Sequence, residues 1–187
     1  IISEQFVVSL GKIHLPQNSQ DQPQSKLMNI LLIDPTIGTG DGLNTGLSWL
    51  CASVEASGHD ARVLDLVNRE SMSFDEEARL VRQNIERLSP DMVGFCVHSI
   101  TLSKTTRLCE SVASFFQGPI IIGGPQMAFE LGGIFDKIPQ TTYAIIGEAE
   151  DTLPELMTAM SENREDVSDI PGVIWKQSGK VVENQPR

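Results

Sequence analysis

The side chains best placed for chemistry fall in four short runs, each following an apolar stretch. The first is Asp34-Pro-Thr36-Ile-Gly38-Thr39-Gly40-Asp41-Gly42, which combines hydroxyls, carboxylates and three glycines. The others are His98-Ser99-Ile100-Thr101, Gly123-Gly124-Pro125-Gln126 and Gly147-Glu148-Ala149-Glu150. Glycines at such points let a ligand lie against bare backbone, and hydroxyls at helix starts hydrogen-bond a polar ligand without adding charge. Each run also has a plain structural reading. Glycines after strands make tight turns, Ser99 and Thr101 are good helix caps, and Glu148 and Glu150 suit the positive end of a helix dipole. His98 packs or faces solvent on that reading, and no metal role is expected of it.

Known phosphate motifs do not account for these runs. A Walker loop needs Gly-x4-Gly-Lys-Ser/Thr, and the first run has no lysine. A dinucleotide fingerprint needs Gly-x-Gly-x-x-Gly, and Gly38-Thr-Gly40-Asp-Gly42 misses its third glycine by one place. Asp65 can still mimic the ribose-binding acid, so an NAD(P)-binding Rossmann domain stays open as an alternative. A phosphoacceptor receiver wants an aspartate ending the third strand, where Ser99 stands. That reading fails.

The elements that must position the runs follow from hydrophobic period. Asn29-Ile-Leu-Leu-Ile-Asp34 reads as a buried strand, followed by a helix with Leu43, Leu47, Leu50, Cys51 and Val54 inward and Gly58 at its end. Ala61 to Leu66 is a second strand. Ser73-Phe-Asp-Glu76 has capping-box spacing and opens a helix that stops at Ser89-Pro90. Asp91 to Ser99, Pro119 to Pro125 and Tyr143 to Gly147 are three more strands, with helices over Thr101–Phe116 and Asp151–Ser161. Gly172-Val-Ile-Trp-Lys-Gln-Ser-Gly-Lys-Val-Val-Glu183 reads as a hairpin turning at Gln177-Ser-Gly-Lys180.

Strands alternating with helices predict an α/β, flavodoxin-like (Rossmann-like) five-stranded parallel sheet in the order 2-1-3-4-5, with helices on both faces and a C-terminal β-hairpin. In that order all four runs open on one edge of the sheet, with the ligand crevice between the first and third strands.

Composition narrows the function classes. Fourteen Lys+Arg against 25 Asp+Glu give a formal charge of −11, which argues against a nucleic-acid or anionic-membrane surface. No apolar run approaches the roughly 20 residues of a membrane span. Cys51, Cys96 and Cys109 have no CxxC spacing and read as buried thiols of a cytoplasmic protein. Residues 1–27 differ from the rest, with Gln17 to Ser25 a polar run that has nothing to bury. They are expected to be an N-terminal extension and linker. The chain starts at Ile rather than Met, so it is expected to be a piece of a longer protein.

Taken together, Ile30-Leu-Leu-Ile-Asp-Pro35, Val93-Gly-Phe-Cys-Val-His-Ser99, Ile121-Ile-Gly-Gly-Pro125 and Ile146-Gly-Glu-Ala-Glu150 resemble the cobalamin-binding domain of cobalamin-dependent radical SAM enzymes. The trailing hairpin and Asn184-Gln-Pro-Arg187 resemble the connection into the catalytic barrel of that family. The resemblance covers roughly residues 28–187. It implies a cobalamin-binding domain over 28–168 and a hairpin, 169–187, leading to a catalytic domain outside this sequence. It implies a corrin over the carboxyl ends of the strands and a nucleotide tail in the sheet crevice. Thr36, Gly38, Thr39 and Gly40 would roof the site; Ser99, Ile100, Thr101, Gly123, Gly124, Pro125 and Gln126 would line the tail pocket; Gly147, Glu148, Ala149 and Glu150 would border it.

In the wider fold the first loop carries Asp-x-His-x-x-Gly, whose histidine coordinates cobalt. Here Thr36 stands at that place, and a neutral hydroxyl is a poor donor beside imidazole. The expectation is cobalamin bound without a histidine ligand from this loop. Gln126 departs from a histidine found in many relatives. The parent protein is expected to be a methyltransferase with a [4Fe-4S] cluster and S-adenosylmethionine. This chain lacks Cys-x3-Cys-x2-Cys and is expected not to be catalytic by itself. Gly124→Val is expected to fill the tail pocket and leave the fold intact. A non-catalytic flavodoxin-like interaction domain is the other alternative.

Overall fold

The computed structural model describes residues 26–35, 44–66 and 72–187. Expectations for residues 1–25, and for Thr36, Gly38, Thr39, Gly40, Gly42 and Leu43, lie outside the described residues.

The parallel core consists of β1 (Asn29–Asp34), β2 (Asp60–Asp65), β3 (Met92–Cys96), β4 (Ile120–Gly123) and β5 (Tyr143–Ile145). Helices α1 (Thr45–Ala56), α2 (Phe74–Leu88) and α3 (Leu102–Ala113) connect the first four strands. Two one-turn helices, α4 (Met127–Glu130) and α5 (Ile134–Lys137), join β4 to β5, and α6 (Ala149–Ser161) follows β5. The hairpin of β6 (Val173–Gln177) and β7 (Lys180–Glu183) completes one seven-stranded sheet ordered β2-β1-β3-β4-β5-β6-β7. Strands β1 to β5 are parallel in the order 2-1-3-4-5; β6 joins β5, and β7 joins β6, antiparallel.

Alternation along the strands sends side chains to two cores. Ile30, Leu32, Met92, Ile121, Ile145 and Trp175 face α1 and α6. Leu31, Ile33, Val93, Phe95, Ile122 and Ile174 face α2 and α3. Burial on both faces explains why the parallel strands read as continuous apolar runs.

The local signals behave as their chemistry requires. The Ser73 hydroxyl accepts from Glu76 N at 3.4 Å while the Glu76 carboxylate accepts from Ser73 N at 2.8 Å, a complete capping box. Helix α2 ends on Ser89 at φ 46, ahead of Pro90. The hairpin turns on Ser178 and Gly179, at φ 51 and 79, the pair of positive values that matches strand twist in a two-residue turn.

Two features differ from the pattern. Nothing in the periodicity announces α4 and α5, because Leu131 at φ 45 and the Gly132-Gly133 pair divide the segment into single turns too short to show a period. Residues 169–187 continue the main sheet: Val173, Ile174 and Trp175 are buried in the two cores, and the Asn184 side-chain amide donates to Val167 O and Ile170 O at 2.7 and 2.8 Å.

Candidate functional site

Strand register sets the floor of the site. Leu32 pairs with Gly94, and Gly94 with Ile121, so these three lie side by side on the face toward α1 and α6. The middle one has no side chain. Above it a cleft of about 450 Å³ opens at the carboxyl ends of β1, β3, β4 and β5. Leu47 and Leu50 of α1 form one wall and Leu153 of α6 the other. A glycine inside an otherwise apolar strand often marks close approach of another group, and Gly94 follows that rule. A Cβ placed there would come within 2.8 Å of Leu32 Cδ2.

The mouth is built from backbone and a few polar groups. Gly123 lies two residues beyond Ile121 and so projects to the same face. The nearest atom to a Cβ on it is Ile145 O at 4.0 Å, so the space there is open. Gly147, at φ 80, has nothing within 4 Å of a Cβ. Gly124 also lines the cleft, but at φ 102 its Cβ would point back into the protein, 2.8 Å from Val97 N and 3.0 Å from Cys96 Sγ. That corrects the expected effect of Gly124→Val: the substitution strains the backbone rather than filling the cleft.

Asn44 organises the β1–α1 side. Its Oδ1 accepts from Leu47 N at 3.2 Å, capping α1, and its Nδ2 donates to Asp34 Oδ2 at 2.8 Å and lies 3.7 Å from Cys96 Sγ. Cys96 Sγ is also 3.6 Å from His98 Nε2. Burial, then the nearby Asp34 carboxylate, pushes the Cys96 thiol up to about 11. The thiol is therefore protonated near neutral pH and is a poor metal ligand or nucleophile. Cys51 and Cys109 are likewise buried and free.

The sequence-derived candidates divide into two groups. Gly123, Gly124, Pro125, Gly147, Glu148, Ala149 and Glu150 come together around the mouth of the cleft. Ser99, Ile100, Thr101 and Gln126 do not line it. Thr101 is fully buried; its hydroxyl accepts from His98 N at 3.0 Å and donates to His98 O at 3.1 Å, pinning the turn between β3 and α3. It stands at the N-cap position of α3 but its side chain makes no capping bond, and it does not line the cleft. The Ser99 hydroxyl donates to Gln126 Oε1 at 2.6 Å, and Gln126 Nε2 donates to Glu130 Oε1 at 2.7 Å. These two tie the β3 and β4 loops to each other. Ile100 is 70% exposed beside them.

Sequence reasoning missed the apolar interior of the cleft, from Leu32 and Gly94 to Leu153, along with Asn44 at its rim. The one available signal was the glycine in Val93-Gly-Phe95; the leucines look like ordinary core residues until register places them around it.

Among the described residues, no helix is long and apolar enough to cross a membrane. A family model for the B12 binding domain matches residues 38–157. The uncharacterized methyltransferase PH0819 of Pyrococcus horikoshii is 28% identical over 171 residues, 87% of this chain and 36% of that protein. The radical S-adenosylmethionine methyltransferase TsrM of Kitasatospora setae, solved with cobalamin and a [4Fe-4S] cluster bound, superposes with a TM-score of 0.74 at 23% identity, covering 86% of this chain and 29% of TsrM. The cobalamin-dependent S-adenosylmethionine radical enzyme OxsB, with aqua-cobalamin bound, gives a TM-score of 0.69 at 16% identity, over 87% of this chain and 23% of OxsB. The likeness to these two structures is one of fold. The chain spans about a third of the length of the relatives it matches.

Proposed function

The chain belongs to the B12-binding domain family, and from that premise we propose that it holds cobalamin at the carboxyl edge of its sheet, with the nucleotide tail in the cleft. One observation carries the reading: an apolar cleft runs down from a glycine-built mouth to a floor with a missing side chain. That shape suits a flat group entering edge-on beneath a larger one lying across the edge. The backbones of Gly123 and Gly147 let the larger group approach closely, and Leu47, Leu50 and Leu153 exclude water from the tail. Glu148 and Glu150 at the rim can accept hydrogen bonds from amide side chains of the corrin. Bound cobalamin supplies methyl-carrying chemistry at its cobalt; the protein's part is to hold and shield it.

The expected ligand set is also a proposal. Thr36 stands where a coordinating histidine would be, so no histidine ligand to cobalt comes from the first loop. His98 lies on the cleft wall with its Nε2 facing Cys96. The electron paramagnetic resonance spectrum of the chain loaded with cob(II)alamin reads the axial ligand. No nitrogen splitting is expected; a splitting lost in His98→Ala would assign the ligand to His98 and overturn this point.

The longer protein we read as a cobalamin-dependent radical SAM methyltransferase. The name of the Pyrococcus relative and the partial coverage of larger enzymes support that reading. It places a [4Fe-4S] cluster and S-adenosylmethionine on a catalytic domain beyond Arg187, with this chain non-catalytic by itself. Sequencing the gene past Arg187 tests it: a Cys-x3-Cys-x2-Cys run supports it, and an unrelated domain overturns it. The domain itself is tested by incubation with hydroxocobalamin, desalting and a visible spectrum. Near one equivalent of retained corrinoid is expected; none retained, with tight NAD binding, would return the dinucleotide alternative.

A further inference from the structure

The deep half of the cleft differs in kind from its mouth. Among the described residues, the nitrogen- and oxygen-bearing side chains that touch the cleft, Asn44, His98, Glu148 and Glu150, come from loops or helix starts at the sheet edge, and the Cys96 thiol at the end of β3 is already in contact with Asn44 and His98. Two residues further down, about 7 Å along the strands, the floor and walls are Leu32, Gly94, Ile121, Leu50 and Leu153. None of these side chains carries a hydrogen-bonding group. The backbone polar groups of the floor are engaged in the ladders that pair Leu32 with Gly94 and Gly94 with Ile121.

We infer that the cleft selects among corrinoids by the base at the end of the nucleotide tail, accepting an apolar benzimidazole and rejecting a purine. The inference rests on the reading that the tail enters this cleft. Dimethylbenzimidazole presents hydrocarbon edges and methyl groups to the floor, which Leu32, Ile121 and Leu153 can cover. Adenine presents an exocyclic amine and ring nitrogens along its edge, and those would leave water without gaining a partner. Each buried, unpartnered polar group weakens binding by about tenfold or more.

Gly94 sets the depth available to the base. A side chain there meets Leu32 Cδ2 first, at 2.8 Å, and Ile30 Cδ1 next, at 3.5 Å. Both neighbours are flexible side-chain ends, so the strand can accept a methyl group only by displacing Leu32 from its place on the floor. Gly94 is thus a specificity-determining residue through the space that it leaves.

Three ligands separate the outcomes: cobalamin, its analogue with adenine as the lower base, and cobinamide, which lacks the tail. Affinity is read from the visible spectrum during titration of the 187-residue chain. The inference predicts tight binding of cobalamin and at least tenfold weaker binding of the adenine form. Adenine is the weaker cobalt ligand and detaches more easily, so a preference for dimethylbenzimidazole runs against that bias. Equal affinity for the two complete corrinoids, both above cobinamide, overturns the selectivity and leaves the tail reading standing. Equal affinity for all three takes the tail out of the cleft. Binding of none overturns the cobalamin reading itself. Gly94→Ala supplies a second measurement: it should weaken cobalamin at least tenfold and leave cobinamide unchanged, and an unchanged cobalamin affinity in the folded variant overturns the role of Gly94.

Discussion

Adjacent glycines at the end of β4 do opposite things. Gly123 projects into open space at the cleft mouth, whereas Gly124 turns against Val97 and Cys96 at φ 102. Gly123→Val should therefore fold normally, since a branched residue suits a strand end, and should lose at least tenfold in cobalamin affinity. Gly124→Val should destabilise the protein by about 2 kcal/mol or more, because it combines a strained φ with a clash against backbone. Urea denaturation of the two variants beside a cobalamin titration distinguishes these effects; equal stability of both would contradict the assignment. At this scale the sequence marked the glycine pair but not the division of labour, which depends on a backbone angle invisible in residue identity. It likewise placed Thr101 on the tail pocket without showing that its hydroxyl bonds back to His98, since a hydroxyl after a strand reads the same in either arrangement.

Among the elements, α2 and α3 are joined by Lys104 Nζ donating to Glu77 Oε1 at 2.6 Å, with Glu77 buried. Glu77→Ala leaves the ammonium with little solvent to replace the carboxylate and should cost about 2 kcal/mol in a urea midpoint analysis. On the other face, His59 connects the start of β1 to α6. Met28 N donates to His59 Nδ1 at 3.3 Å, and Nε2 lies 3.2 Å from Thr158 Oγ1, whose own proton goes to Pro154 O at 2.9 Å. This network suits the neutral ring with its proton on Nε2. Burial holds the His59 pKa below its usual 6.5. The unfolded chain therefore binds the proton more readily, so this contribution to stability is full above pH 6.5 and is lost as pH falls below it toward the folded pKa. Glu76, Glu130 and Asp166 are also held low, by hydrogen bonds from Ser73, Lys137 and Ser168 respectively, and their contributions decline only at more acidic pH, below 4.5. Stability should thus drop as pH falls through 6.5, and His59→Gln, which preserves an acceptor and a donor, should flatten that drop. No change in slope would contradict the assignment. Helices α1, α2, α3 and α6 were legible because they run for three turns or more with one apolar face. Helices α4 and α5 were not, being single turns on either side of Gly132-Gly133.

The described strands form one seven-stranded sheet whose last two strands are part of its stability. Trp175 and Val173 are buried in the α1–α6 core and Ile174 in the other, and Arg187 reaches back to Thr152 Oγ1 at 3.1 Å and Glu155 Oε2 at 2.5 Å. Deleting residues 173–187 should expose the edge of β5 and both cores, giving a chain without a cooperative thermal transition by circular dichroism. A deletion variant that melts cooperatively would contradict this. Strand order was readable from the alternation of elements, because parallel pairing and right-handed crossovers leave few arrangements. That the hairpin continues the sheet was not, since Gly172 to Glu183 predicts two paired strands without saying what edge they meet. The interior of the cleft was hidden for a similar reason: its walls are leucines and isoleucines, and only register converts Gly94 into a gap among them.

Whether this gap and the glycine-built mouth above it hold cobalamin is read by equilibrium dialysis of the wild-type chain and Gly123→Val against hydroxocobalamin. Close to one corrinoid per wild-type chain is expected, with at least tenfold weaker binding by the folded variant. Equal retention by the two, or none by the wild-type chain, would contradict the cobalamin reading.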